Sequence, residues 1–264
     1  MNRLDILVCI HGVADPSEQK IFEKDGKISV THGSWIINPD DKSGLEEALK
    51  LKDEINCNIT VLAPQIFHGE DILKETYAMG ADNVILFEGD YIPRQILKAT
   101  VKYIQTKKYK LVITGTESFN FRINHFGSMM AELLQWNNMS GINHIVEILE
   151  EGVYVTKNFS DRVLTLTLDY PCIVSYSYGV NEPRLRQVSR IMEAYENKDL
   201  FQRIKIADYL QKEDVFESPI PKKTMLNKIR RERVMDCHLN VEKSTEEVFH
   251  KLLEWGIIIE KYKG

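Results

Sequence analysis

The stretch richest in possible chemistry is GTESFNFRINHFGSMMAELL, which runs from Gly115 to Leu134. A glycine ends an apolar run, a polar segment follows, and Gly127 opens an amphipathic helix. That layout suits an anion resting on a helix N-terminus. Yet Phe119, Phe121 and Ile123 stand where small or hydroxylated residues would serve a phosphate. A second group is His11, Asn38-Pro39 and the adjacent Asp40 and Asp41. Asn-Pro before a helix reads as a turn or a site residue, since the position before proline avoids helical backbone. The two aspartates read as caps of the following helix rather than as a catalytic carboxylate pair. His11, at a strand end, reads as either a ligand contact or a satisfied histidine. The four cysteines have no CxxC spacing, which argues against a zinc or dithiol motif. Cys9, Cys57 and Cys172 lie in or beside apolar segments and read as buried reduced thiols. No residue is assigned a catalytic or metal-binding role.

These residues need elements to hold them. Short apolar runs at Asp5–Ile10, Ile59–Ala63, Val84–Phe87 and Leu111–Ile113 are β-branched and too short for helices. Helical patterns fall between them at Ser43–Glu54, Gly69–Met79, Pro93–Gln105 and Gly127–Gln135. Ser43 with Glu46 reads as a capping box, and Pro93 suits a first helical turn. The alternation predicts an α/β fold, a mainly parallel sheet flanked by helices, with ligands beyond the strand C-termini. Residues 10–13, 63–67 and 87–91 and the loop after Gly115 are the places to search. After Asn143 the pattern changes to strands at Ile145–Leu149, Val153–Thr156, Val163–Leu168 and Cys172–Ser177, an antiparallel extension. From about residue 201 the chain reads as a polar, basic arm ending in an amphipathic helix, Thr245–Trp255. The domain expectation is therefore 1–200 for the α/β domain with its extension and 201–264 for a partner-clamping arm.

Composition narrows the classes. The 264 residues are 43% hydrophobic and 28% charged, as in an ordinary globular protein. No apolar run approaches the ~18 residues of a membrane span. A net charge of -5 gives no support to a nucleic-acid role. Asp5 interrupts the apolar N-terminal stretch, which reads as a first strand rather than a signal peptide, and the expected location is cytoplasmic.

Three stretches in order carry a resemblance: SWIINPDDKSGLEEALKLKDE, ETYAMGADNVILFEGD and GVNEPRLRQVSRIMEA. Together they resemble the β subunit of electron transfer flavoproteins over residues 3 to 195, with a similar basic arm beyond. The resemblance implies pairing with an α subunit that carries most contacts to a redox-active FAD. It also implies an adenine nucleotide in this subunit: AMP in ordinary members, a second FAD in electron-bifurcating ones. Such a chain is half of an electron carrier between a dehydrogenase and an acceptor. Cys9, Ile10 and His11 match the turn that touches the adenine, with His11 in place of a lysine. Asn38 and Pro39 match residues lining the nucleotide and the flavin-side interface.

The family's phosphate loop differs here. Aligned on Gly115 and Gly127, Arg122 stands at an aspartate, Ile123 at the phosphate-binding threonine and His125 at a glutamine. Arg122 can replace the lost hydroxyl with a charge-assisted bond. Ala63 replaces the glycine that lets backbone approach the ligand, and Pro64 has no N–H to give. An atypical nucleotide site is the expectation. Val188, with Ile191 and Met192, occupies the family's partner-anchoring position after N-E-P-R. Glu193 and Glu196 stand where a lysine-rich run usually follows, which predicts a redox partner other than the usual medium-chain acyl-CoA dehydrogenase. Two other readings stay open: a stand-alone adenine-nucleotide-binding protein of the stress-protein type, and a subunit of an electron-bifurcating complex.

Overall fold

The structure is a computed structural model that describes residues 3–24, 27–31, 33–66, 68–117, 125–197, 199–211 and 241–254. The chain divides into two compact units, Met1–Phe216 and Glu217–Gly264. In the second unit the described element is one helix, Val241–Glu254.

The first unit is organised by seven parallel strands. In chain order its elements begin β1 (Leu4–Cys9), β2 (Gly12–Ala14), β3 (Lys20–Lys24), β4 (Lys27–Thr31), β5 (Trp35–Ile37) and α1 (Pro39–Glu54). They continue with β6 (Cys57–Pro64), α2 (Gly69–Met79), β7 (Asn83–Glu88), α3 (Pro93–Gln105), β8 (Leu111–Gly115) and α4 (Phe126–Leu134). The last are β9 (Asn137–Ile142), β10 (His144–Ile148), β11 (Gly152–Asn158), β12 (Val163–Asp169), β13 (Cys172–Tyr176), α5 (Val188–Glu196) and β14 (Phe201–Lys205). The sheet runs β14-β7-β6-β1-β8-β13-β9. The chain moves outward from β1 through β6 to β7 and then crosses to β8 on the other side. The switch point therefore lies between the C-terminal ends of β1 and β8.

Period-two alternation in β1 divides its side chains between two cores. Ile6 and Val8 join Leu45 and Leu49 of α1 and Ile72 of α2 on one face. Leu7 and Cys9 join Leu97 and Tyr103 of α3 and Met130 of α4 on the other. Both faces of the sheet are covered, so its central strands are buried along most of their length and mainly apolar.

Two expectations are corrected. Cys172–Tyr176 does not belong to the antiparallel extension; it enters the parallel sheet between β8 and β9. All five of its residues are buried, the mark of a central parallel strand rather than of a half-solvated one. The extension is the three-stranded β10-β11-β12 sheet, which adds Ile145, Val153 and Val155 to the α1-side core. The capping box is also absent. Pro39 starts α1 behind an extended Asn38, so Ser43 lies in the second turn, beyond the helix's free amides. Its Oγ instead accepts the Asn181 N–H at 3.1 Å.

The sheet also continues past residue 200: β14 pairs with β7 along Phe201–Lys205, and Ile206, in the short 3-10 turn that follows, is fully buried. The described helix Val241–Glu254 covers the expected Thr245–Trp255 helix as far as Glu254; Trp255 lies outside the described residues.

Candidate functional site

Two buried carboxylates on α1, Asp40 and Asp41, hold the loops near the switch point. Asp41 Oδ2 accepts the His11 N–H at 2.8 Å and sits 3.2 Å from His11 Nδ1. Its Oδ1 accepts the Gly115 N–H at 2.8 Å. Asp40 accepts the N–H groups of Glu117 at 3.0 Å and Tyr178 at 2.9 Å. The loops after β1, β8 and β13 are thus tied to one helical turn. Neither aspartate caps its own helix, contrary to the sequence expectation; the side chains reach outward to amides of other segments. Burial raises the Asp40 carboxyl above its ordinary value, opposed by the two amides it accepts.

The glycines of the opening stretch make this possible. A Cβ on Gly115 would stand 2.3 Å from Asp41 Oδ1 and 2.7 Å from Asp40 Cβ. A Cβ on Gly127 would meet Thr114 Oγ1 at 2.6 Å and Ser175 Oγ at 2.7 Å. Both positions make room for groups of the protein itself. His125 holds a left-handed conformation at the start of α4, φ 77°, and its N–H donates to the Thr116 carbonyl at 3.1 Å. That bond closes the base of the loop between them. Arg122 and Ile123 lie outside the described residues.

The remaining predicted residues fall as follows. Cys9 is buried on β1, its thiol pushed far up by burial. His11 is buried on Asp41 and meets Phe126 edge-on at 4.9 Å. Ala63 is buried on β6. Asn38 has no exposed surface. Its Nδ2 donates to the Glu117 carbonyl at 2.7 Å, while Oδ1 is buried without a partner.

An adenine nucleotide can be tested against this set. The orphaned Asn38 Oδ1 fits an amino or hydroxyl donor from a ligand. The amides of His11, Gly115, Glu117 and Tyr178 do not fit a phosphate, because two carboxylates already occupy them.

A second assembly lies on the α1–α2 side. The segment Asn181-Glu182-Pro183-Arg184 leads to α5. Asn181 Nδ2 donates to Ser43 O at 3.1 Å and to Glu47 Oε2 at 2.9 Å. The Arg184 N–H donates to Glu46 Oε2 at 2.9 Å, and its guanidinium grips both Glu46 oxygens at 3.0–3.1 Å. Glu47 Oε1 also accepts the Ile145 N–H at 2.8 Å, tying in the antiparallel sheet. Beyond these anchors, Leu185 is 91% exposed, Val188 72% and Met192 58%, with Tyr195 also exposed. Ile191 is partly buried, and Ala194 packs inward. An exposed apolar stripe on a firmly anchored helix is the pattern of a contact surface. Sequence reasoning missed the helix itself and the part played by Glu46 and Glu47. The paired Glu46-Glu47 on a helix face otherwise apolar was the available signal.

An open parallel sheet with this switch point, carrying a three-stranded antiparallel extension, defines a doubly wound α/β protein. The family model described as the electron transfer flavoprotein domain matches residues 27–199. Similar proteins include the acryloyl-CoA reductase electron transfer subunit gamma of Anaerotignum propionicum, 29% identical, covering 72% of this chain and 74% of that one. The caffeyl-CoA reductase-Etf complex subunit CarD of Acetobacterium woodii is 31% identical, covering 72% and 75%. The electron transfer flavoprotein subunit beta of Clostridium acetobutylicum is 28% identical, covering 74% and 76%. The chain belongs to the electron transfer flavoprotein family, on its beta-subunit side.

Proposed function

We propose that this chain is the beta subunit of a heterodimeric electron transfer flavoprotein, moving electrons between a dehydrogenase and an acceptor. FAD, held mainly by the α subunit, supplies the redox chemistry when bound. This chain's own work is to position and to dock, and it needs no catalytic side chain of its own. The anchored apolar stripe of α5 carries the reading, because a stand-alone nucleotide-binding protein has no use for such a helix. Asn38, His125 and Gly127, with Arg122, would hold an adenine nucleotide, AMP or a second FAD. Ile123 in place of a hydroxyl and Pro64 without an N–H make that site atypical. Two relatives bear names of CoA-ester reductase assemblies, which favours a reductase-linked complex as a second reading.

Co-expression with candidate flavin-bearing subunits of the same organism tests the proposal. The expected product is a 1:1 complex with a flavin spectrum, from which denaturation releases FAD. A chain that stays monomeric and colourless with every candidate would refute it. Chromatography of the released nucleotides distinguishes AMP, a second FAD and none.

A further inference from the structure

We infer that Arg184 is a positioning residue for partner docking: its grip on buried Glu46 sets where the apolar face of α5 stands. The inference rests on α5 being the docking surface proposed above. Residues 182–187 belong to no helix or strand, so their course depends on what pins them. Upstream, Asn181 is held by Ser43 and Glu47; downstream, the Gln187 N–H donates to Ala78 O at 2.9 Å. Between these points Arg184 is fixed twice, by its backbone N–H and by its guanidinium, on one carboxylate that is almost fully buried. Its Nη2 adds Asp53 Oδ2 at 2.8 Å.

Arg184 is held inward on Glu46, while the next residue, Leu185, faces outward as the most exposed large apolar residue of the stripe. The same anchor fixes the entry into α5, whose first turn is held by Arg190 against the Ala81 carbonyl and the Tyr77 ring. A stripe already ordered before contact binds without the cost of ordering it. The fork of a guanidinium does this; an ammonium cannot grip two carboxylate oxygens and a second acid in one plane.

The test uses the heterodimer and an acyl-CoA dehydrogenase that reduces it, with Arg184→Lys, Glu46→Gln and Val188→Ala. Arg184→Lys and Glu46→Gln are each expected to raise the apparent KM for the dehydrogenase about tenfold. The limiting rate and the reduction of the flavin by dithionite should be unchanged. Hydrogen exchange across residues 185–192 should quicken in both. Val188→Ala should raise the KM with exchange unchanged. If Val188→Ala raises the KM and the other two stay within twofold of wild type, docking stands and the positioning inference falls. If none of the three changes the KM, the docking reading falls and takes the inference with it. If Arg184→Lys instead lowers flavin content and limiting rate with KM unchanged, its role is merely structural and the inference is overturned.

Discussion

Replacing Asp41 by asparagine isolates the contribution of the carboxylate cluster. The side chain accepts two backbone N–H groups at 2.8 Å and faces His11 Nδ1, while only 2% exposed. Asparagine keeps one acceptor oxygen and turns an amide NH2 toward the remaining donors. One buried backbone N–H then faces another donor. A hydrogen bond to a charged acceptor contributes about 1.5–3 kcal/mol, and leaving the donor buried and unpaired costs about 1–3 kcal/mol more. A loss of about 3–5 kcal/mol follows, a large part of the ~5–15 kcal/mol that holds a typical domain. Urea unfolding of the full chain, followed by tryptophan fluorescence, measures it. Asp161→Asn is the control, because Asp161 pairs with Arg162 in the open and should change stability by under about 0.5 kcal/mol. A loss below about 1 kcal/mol for Asp41→Asn, at an unchanged denaturant slope, would refute the view that this carboxylate ties the strand-end loops together.

Three further outcomes are expected. The Asp40 carboxyl lies above its ordinary value of 3.8 in the folded protein, so the folded state holds its proton more tightly than the unfolded chain. This group's contribution to stability therefore declines as pH rises from about 4 through the raised value. The stability of wild type relative to Asp40→Asn should fall over that window, and a rise would contradict the burial argument. Gly127→Ala forces a methyl group against two hydroxyls and should cost about 1–3 kcal/mol; Ser175→Ala in the same chain should recover part of it, and a neutral single variant would be inconsistent with the close contact. Burial raises the Cys57 and Cys172 thiols to about 11 and about 12. Peptides containing Cys9, Cys57 or Cys172 should stay unlabelled by iodoacetamide at pH 8 in the native protein, and rapid native labelling of any of them would show that the core is open.

The βαβ skeleton was legible because its signals are local. Alternating apolar runs and helical stripes located β1, β6, β7 and β8, and Gly69–Met79 and Pro93–Gln105 agree with the observed helices end for end. What could not be read locally was every role set by a distant partner. Ser43 and Glu46 have the spacing of a capping box, but a proline four residues earlier starts the helix and frees both for Asn181 and Arg184. Cys172–Tyr176 followed three antiparallel strands and looked like a fourth, although its run of adjacent apolar residues, Cys172-Ile173-Val174, was the sign of a central parallel strand. Gly115 read as room for a phosphate; the space is taken by α1 carboxylates, and nothing near Gly115 in sequence announces that. The exposed face of α5 followed from the resemblance at Val188, whereas its anchoring required contacts across more than a hundred residues.

The strand order has a consequence for how the chain can be made. β13 lies between β8 and β9, so the outer strand is synthesised before the one that joins it to the sheet. While residues 143 to 171 emerge from the ribosome, Asn137–Ile142 has no strand to pair with. Over the same interval the wholly buried edge of Leu111–Gly115 stands open. An open apolar edge is a template for mispairing with another chain. The β10–β12 hairpins, made within that interval from neighbouring residues, can form early, because short loops close cheaply. A nascent chain stalled just before Cys172 should therefore be a strong chaperone client. One released a few residues later, after Tyr176, already has the insert that seals both strands.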